Sequence, residues 1–124
     1  MIQIKQLTKS YGGTRVLNIP IMDIPKGQVF GLVGNNGAGK TTLFSLLLDL
    51  IQATEGKVTI NRVDVSTSED WKTNTAAFLD DSFLIGYLTP EEYFYFIGEL
   101  RNVSKEEVDE LIAGYTDFFN DEIL

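Results

Sequence analysis

Gly34-Asn35-Asn36-Gly37-Ala38-Gly39-Lys40-Thr41 decides how this chain is read. The octapeptide satisfies G-x-x-x-x-G-K-[ST] at each fixed position. Glycines let the backbone turn tightly enough for successive N–H groups to point inward at a phosphate. A helix starting at the end of the loop adds its unpaired amides and the positive end of its dipole. Lys40 is placed to reach the terminal phosphates as a mobile cation. The Thr41 hydroxyl is placed to ligate Mg2+, and Thr42 to hydrogen-bond a more distal phosphate oxygen. A glycine-rich turn that merely caps a helix would carry the same letters, so the flanks decide. Upstream, Val29-Phe30-Gly31-Leu32-Val33 is a short apolar run suited to a strand buried on both faces. Downstream, 41–50 reads as a helix that is apolar nearly all round and therefore buried. A strand, a glycine loop and a helix form the context in which this pattern holds the phosphates of a nucleotide.

Outward from the loop, the N-terminal side reads as strands. Ile2 and Ile4 alternate with polar neighbours, Tyr11-Gly12-Gly13 supplies a turn, and Leu17, Ile19 and Ile21 alternate again. Pro20 has no N–H for a ladder, which places its strand at an edge or a bulge. Segments 57–60 and 75–79 read as two further strands, separated by a polar, loop-like stretch over 63–71 in which Trp71 has no evident role. The character changes after Gly86. Thr89-Pro90-Glu91-Glu92 is a helix start with an N-cap, a proline at the first helical position and a capping-box glutamate. Ser104-Lys105-Glu106-Glu107 repeats that signature, followed by Val108, Leu111, Ile112 and Tyr115 on one helical face. The reading divides the chain into a strand-rich core with the phosphate loop over 1–88 and the beginning of a helical part over 89–124. The apolar Ile123-Leu124 at the end has nothing to cover it, so the helical part is expected to be incomplete.

Composition narrows the function further. Leu, Ile, Val and Phe make up about a third of the 124 residues, enough for a packed core. A net charge of −8 argues against general nucleic-acid binding, which needs a lysine- or arginine-rich face. With no Cys and no His, there is no thiol nucleophile, no imidazole base and no thiolate or imidazole zinc site. No stretch is long and apolar enough to read as a membrane helix, and the first residues lack the order of a secretory signal, so a cytoplasmic chain is expected.

The wider sequence resembles the ATP-binding subunit of ABC transporters. Leu7-Thr8-Lys9-Ser10-Tyr11-Gly12 is similar to that family's opening. Ile24-Pro25-Lys26-Gly27, followed by Gly31 through Leu43, is similar to its approach to the loop. Thr54-Glu55-Gly56-Lys57-Val58 resembles the strand after the first helix, and Leu88-Thr89-Pro90-Glu91-Glu92 the start of the helical subdomain. The resemblance implies an α/β P-loop fold of the ABC ATPase type with an N-terminal antiparallel part. It implies ATP held by Asn35, Asn36, Gly37, Ala38, Gly39, Lys40, Thr41 and Thr42, with Tyr11 stacking on adenine and Val16 near the ribose or the adenine edge. It also implies two partners, a transmembrane permease and a second ATP-binding subunit, with the chain peripheral at the inner face of the membrane through the permease.

Two acidic residues stay open between readings. An apolar strand ending in Asp80-Asp81 looks like the acidic strand end of P-loop enzymes, where a carboxylate holds Mg2+. By the resemblance, Asp81 instead stands where the family carries a Gln in the loop facing the membrane partner. There it would accept a bond from a metal-bound water but could not donate one as an amide does. A solvated acidic loop is the third reading. The family's signature motif, its later acidic strand with the catalytic Glu and its switch His do not occur in these residues. Lys40 is then the one catalytic candidate, and ATP binding without efficient hydrolysis is expected. Rival readings are a small self-contained P-loop NTPase or kinase using Asp80, a non-transport member of the same superfamily, and a fragment that binds no nucleotide.

Overall fold

A computed structural model describes residues 1–118, which fall into two units, one over Met1–Leu79 and a second beginning at Asp80. The first is organised by an antiparallel sheet. Strand β1 (Ile2–Tyr11) and strand β2 (Thr14–Ile24) form a hairpin across Gly12-Gly13. Strand β3 (Glu55–Ile60) pairs with the other side of β1 and carries the two-residue β4 (Val63–Asp64), giving the order β2-β1-β3-β4. Pro20 lies on the edge strand β2 opposite Gln6, a position that the pairing of β1 with β2 skips between Lys5↔Ile21 and Leu7↔Ile19.

A bulge in β1 sets the core. Gln6 adopts φ 48°, and the pairing of β1 with β3 shifts register between Lys5 and Thr8. The added residue lets Ile4 and Leu7, three positions apart, both bury fully on one face. Gly56 faces the bulge so closely that a Cβ there would lie 2.2 Å from the Gln6 carbonyl oxygen. Helix α1 (Lys40–Leu47) lays Leu43, Leu46 and Leu47 against this face, joining Ile4, Leu7, Val58, Ile60, Val65 and Trp71 in one core. Full burial of an aliphatic side chain of this size is worth roughly 1.5–3 kcal/mol.

Several expectations are corrected here. The helix is shorter than 41–50, ending before Asp49 at φ 53°, and it is not buried all round. One face of α1 packs on the sheet, which leaves Phe44 exposed, and Leu50, beyond the end of the helix, is exposed as well. The run 29–33 is not a buried strand: Val29 and Val33 are 103% and 95% exposed. Segment 75–79 is likewise irregular, with Phe78 exposed. Neither segment has a ladder partner among the described residues. A strand buried on both faces exists only inside a sheet, so apolar character alone does not create one. The stretch 63–71 is not merely a loop. It contains β4 and opens a short 3-10 turn, Asp70–Asn74, whose Trp71 is buried and donates its indole N–H to the Val65 carbonyl at 3.3 Å.

The second unit carries helices α2 (Pro90–Leu100) and α3 (Lys105–Ala113) at the anticipated starts. Both capping boxes form. Glu92 N–H donates to Thr89 Oγ1 at 3.2 Å, and Thr89 N–H to Glu92 Oε2 at 2.8 Å. Glu107 N–H donates to Ser104 Oγ at 3.3 Å, and Ser104 N–H to Glu107 Oε2 at 2.9 Å. The Ser104 bonds hold the Glu107 carboxyl below its ordinary range. The helices meet where Gly98 leaves room for Val108: a Cβ on Gly98 would come within 2.6 Å of Val108 Cγ2. The Tyr95 hydroxyl donates to Asp109 and lies 3.0 Å from Glu91 Oε1, and the Asp109 carboxylate above all pushes the phenol up from its usual value. Ile123-Leu124 lies outside the described residues. No helix among the described residues is long and apolar enough to cross a membrane.

Candidate phosphate-binding site

The loop begins after a turn in which Gln28 N–H donates to the Pro25 carbonyl at 3.4 Å. Ala38 N–H closes on the Asn35 carbonyl at 3.1 Å, which curls 35–38 into a tight turn. Gly39 then takes a left-handed conformation, φ 91° and ψ 10°, and serves as the N-cap of α1. Having no side chain, it offers no oxygen to the helix start. The helical ladder begins with Leu43 N–H donating to the Gly39 carbonyl at 2.9 Å, so the amides of Lys40, Thr41 and Thr42 precede the first intrahelical bond. No acidic residue lies in the first turn to compete for them. An anion is the natural partner for such an end.

Lys40 bends back over the loop. Its ammonium donates to the Gly34 carbonyl and, at 2.9 Å, to the Asn35 carbonyl. The cation therefore sits across the mouth of the turn. Thr41 is exposed at the helix start, while Asn35, Asn36, Gly37 and Ala38 form the exposed rim.

Gly39 also joins the loop to the sheet. A Cβ on it would lie 3.0 Å from the Val16 carbonyl oxygen and 3.3 Å from Leu17 Cδ1, so any other residue would require β2 or the helix start to give by a few tenths of an ångström. The contact brings Val16, one of the candidate residues, beside the loop. Thr14, two residues earlier on β2, pairs with Tyr11 across the hairpin. Tyr11 is 53% exposed, with Lys9 Nζ 4.8 Å from its ring centroid. Sequence reasoning gave Lys9 no role of its own.

Asp80 and Asp81 fall in the second unit. Asp80 Oδ1 accepts from Ser82 N–H at 2.8 Å and from the Ser82 hydroxyl, bonds that hold its carboxyl below the ordinary value. Its carboxylate is thus a local cap for the short turn Asp81–Phe83, with Asp81 exposed at the start of that turn. Among the described residues no three Asp, Glu, His or Cys side chains gather as a metal cluster. A separate cleft of about 370 Å3 is lined by Leu7, Leu46, Gly56, Val58 and Val65 among others, and by no residue of the loop.

A glycine-rich loop with one cation at a glycine-capped helix, docked on a β-hairpin, defines a P-loop protein. The chain belongs to the ABC transporter family, whose model matches residues 17–123. It is 31% identical to an uncharacterised ABC transporter ATP-binding protein, YhaQ, of Bacillus subtilis, over 97% of this chain and 40% of that protein. It is 30% identical to the molybdate/tungstate import ATP-binding protein WtpC of Pyrococcus abyssi, over 88% of this chain and 31% of that one. The chain thus spans less than half the length of these relatives. In fold it is similar to a dimeric bacterial ABC transporter cassette, with a TM-score of 0.79 at 23% identity, covering 99% of this chain and 60% of the cassette. The same cassette is also known in a post-hydrolysis state bound to ADP and Pi. The family match leaves the self-contained NTPase built on Asp80 unfavoured.

Proposed function

We propose that this chain is the nucleotide-holding portion of an ABC transporter's ATP-binding subunit, with ATP phosphates seated in residues 34–42. The observation that carries the reading is the cradle itself, with the glycine-capped start of α1 and the Lys40 ammonium laid across the Gly34 and Asn35 carbonyls. On binding, Lys40 would exchange those carbonyls for β- and γ-phosphate oxygens, and the amides of residues 40–42 would take the remaining charge. Tyr11 would stack on adenine, with Val16 at the edge of the base or the ribose. Stacking of a nucleobase on an aromatic ring contributes about 1–3 kcal/mol in nucleic-acid complexes.

The residues fit Mg2+. One exposed threonine hydroxyl at the helix start, with phosphate oxygens and waters, suits an ion that keeps most of its hydration shell. Thr41 would hold it. Bound there, the ion would neutralise phosphate charge. Lys40 would stabilise developing charge on a transferred phosphoryl, and the sequence contains no His to serve as an imidazole base for water. Binding with little turnover is therefore the activity proposed for the chain. In the assembled transporter a second ATP-binding subunit would complete each site, and closure of the pair would drive a transmembrane permease. The chain would then sit at the cytoplasmic face through that permease.

Calorimetric titration of Mg-ATP into the purified chain and its Lys40→Ala variant, with phosphate release measured on the same sample, tests the reading. Binding that depends on Lys40, without turnover, is expected. Turnover by the chain alone would overturn the proposal in favour of a self-contained NTPase. Binding unaffected by loss of Lys40 would remove the cradle from the site.

A further inference from the structure

Tyr11 closes β1, and the end of that strand is held from the side by the segment after α1. Thr54 N–H donates to the Thr8 carbonyl at 2.9 Å, and Ser10 N–H donates to Thr54 Oγ1 at 2.9 Å. Between these bonds, Lys9 Nζ donates to the Gln52 carbonyl at 2.7 Å. The same ammonium lies 4.8 Å from the centroid of the Tyr11 ring. The cation is therefore fixed twice, by a carbonyl on one side and by an aromatic face on the other.

We propose that Lys9 is a positioning residue for a nucleobase: its ammonium, anchored on Gln52, holds the Tyr11 ring by one face so that a purine stacks on the other. The inference rests on the reading of Tyr11 as the stacking residue and adds to it the group that fixes the ring. An exposed tyrosine at the end of a hairpin would otherwise lose rotamer freedom when a base binds, and that loss weakens binding. With Lys9 in place, much of this ordering precedes the ligand. A cation over one face also draws π-electron density toward itself, which makes the opposite face a better partner for an electron-rich base. The anchor matters as much as the charge. Without the Gln52 carbonyl, a long lysine side chain in water would hold its head over the ring for only part of the time.

The test separates the base from the phosphates. Mg-ATP and Mg-tripolyphosphate are titrated into the chain and into Lys9→Met, Lys9→Arg, Tyr11→Ala and the Lys9→Met/Tyr11→Ala double variant. Folding is checked by circular dichroism, and Lys9→Gln substitutes if Lys9→Met does not fold. Lys9→Met is expected to weaken Mg-ATP binding about 2- to 5-fold, the range for an exposed cation–π contact. Mg-tripolyphosphate binding should stay unchanged. Lys9→Arg should restore the ATP affinity, since a guanidinium both stacks on the ring and donates to a carbonyl. In the Tyr11→Ala background, Lys9→Met should cost nothing further. Equal loss for both ligands would overturn the proposal by making Lys9 a general attractor of anions, and so would an undiminished loss in the Tyr11→Ala background. If Tyr11→Ala weakens ATP but Lys9→Met does not, the positioning role fails alone. If Tyr11→Ala leaves ATP binding intact, or no ATP binds at all, the reading of Tyr11 fails and the proposal falls with it.

Discussion

Replacing Gly39 by alanine separates two demands that the structure places on one residue. The first is conformational: φ is 91° and ψ 10°, in the left-handed region. An L-residue with a Cβ pays roughly 1–2 kcal/mol there. The second is spatial, because the new Cβ would stand 3.0 Å from the Val16 carbonyl oxygen and 3.3 Å from Leu17 Cδ1. Moving β2 or the start of α1 by a few tenths of an ångström to relieve that contact adds roughly 1 kcal/mol. Gly37 provides the control. It has a similar φ of 85°, but nothing lies within 4 Å of its Cβ position. Gly37→Ala should therefore cost only the conformational part, about 1–2 kcal/mol, and Gly39→Ala about 2–3 kcal/mol. In a domain of this size each kcal/mol lowers the melting temperature by about 3–5 °C. Thermal unfolding followed by circular dichroism should thus rank wild type above Gly37→Ala and Gly37→Ala above Gly39→Ala. Titration with Mg-ATP should show the larger loss for Gly39→Ala, since that substitution displaces the amides of residues 40–42 from β2. If the two variants melted together and bound alike, the close docking of the loop on β2 would be refuted.

Trp71→Ala should destabilise the first unit by about 3–5 kcal/mol, as expected for removing a buried indole and leaving the Val65 carbonyl without its donor; urea unfolding would check this, and a cost below about 1 kcal/mol would place Trp71 outside the core. Helix α3 should weaken in acid: Glu107 has a lowered pKa in the folded chain, so its contribution is present above the ordinary glutamate value of 4.5 and fades as pH falls through the folded value. Helical ellipticity measured from about pH 5 to pH 3 should fall in the wild type more than in Glu107→Gln, and equal slopes would contradict the capping role.

What the sequence made legible were features written in neighbouring residues. The phosphate loop spans eight consecutive positions, and each capping box spans four, so their geometry is local and the letters suffice. The hairpin across Gly12-Gly13 and the edge placement of Pro20 follow from the chemistry of single residues. Features that depend on distant partners were not legible. Segment 29–33 has the composition of an interior strand, but composition cannot state whether another strand stands beside it. Phe44 looks like a core residue until the number of layers covering α1 is known, and Leu50 until the helix is known to end at Leu47. Trp71 hides among polar neighbours because its partner is the Val65 carbonyl rather than a periodic apolar face. Lys9 escaped notice for the same reason: its role depends on Gln52, 43 positions away.

The bare segment 29–33 has a consequence for handling the protein. Val29-Phe30-Gly31-Leu32-Val33 carries no charge, and its two valines are almost fully solvated. Backbone groups without a ladder are open to any extended strand they meet, and the rate of such encounters rises with the square of the concentration. The net charge of −8 opposes them only at long range, because at physiological ionic strength the repulsion decays within about 8 Å. Dilution and low salt are therefore the conditions under which this chain stays single, and a binding curve recorded at high concentration would combine nucleotide affinity with reaction order.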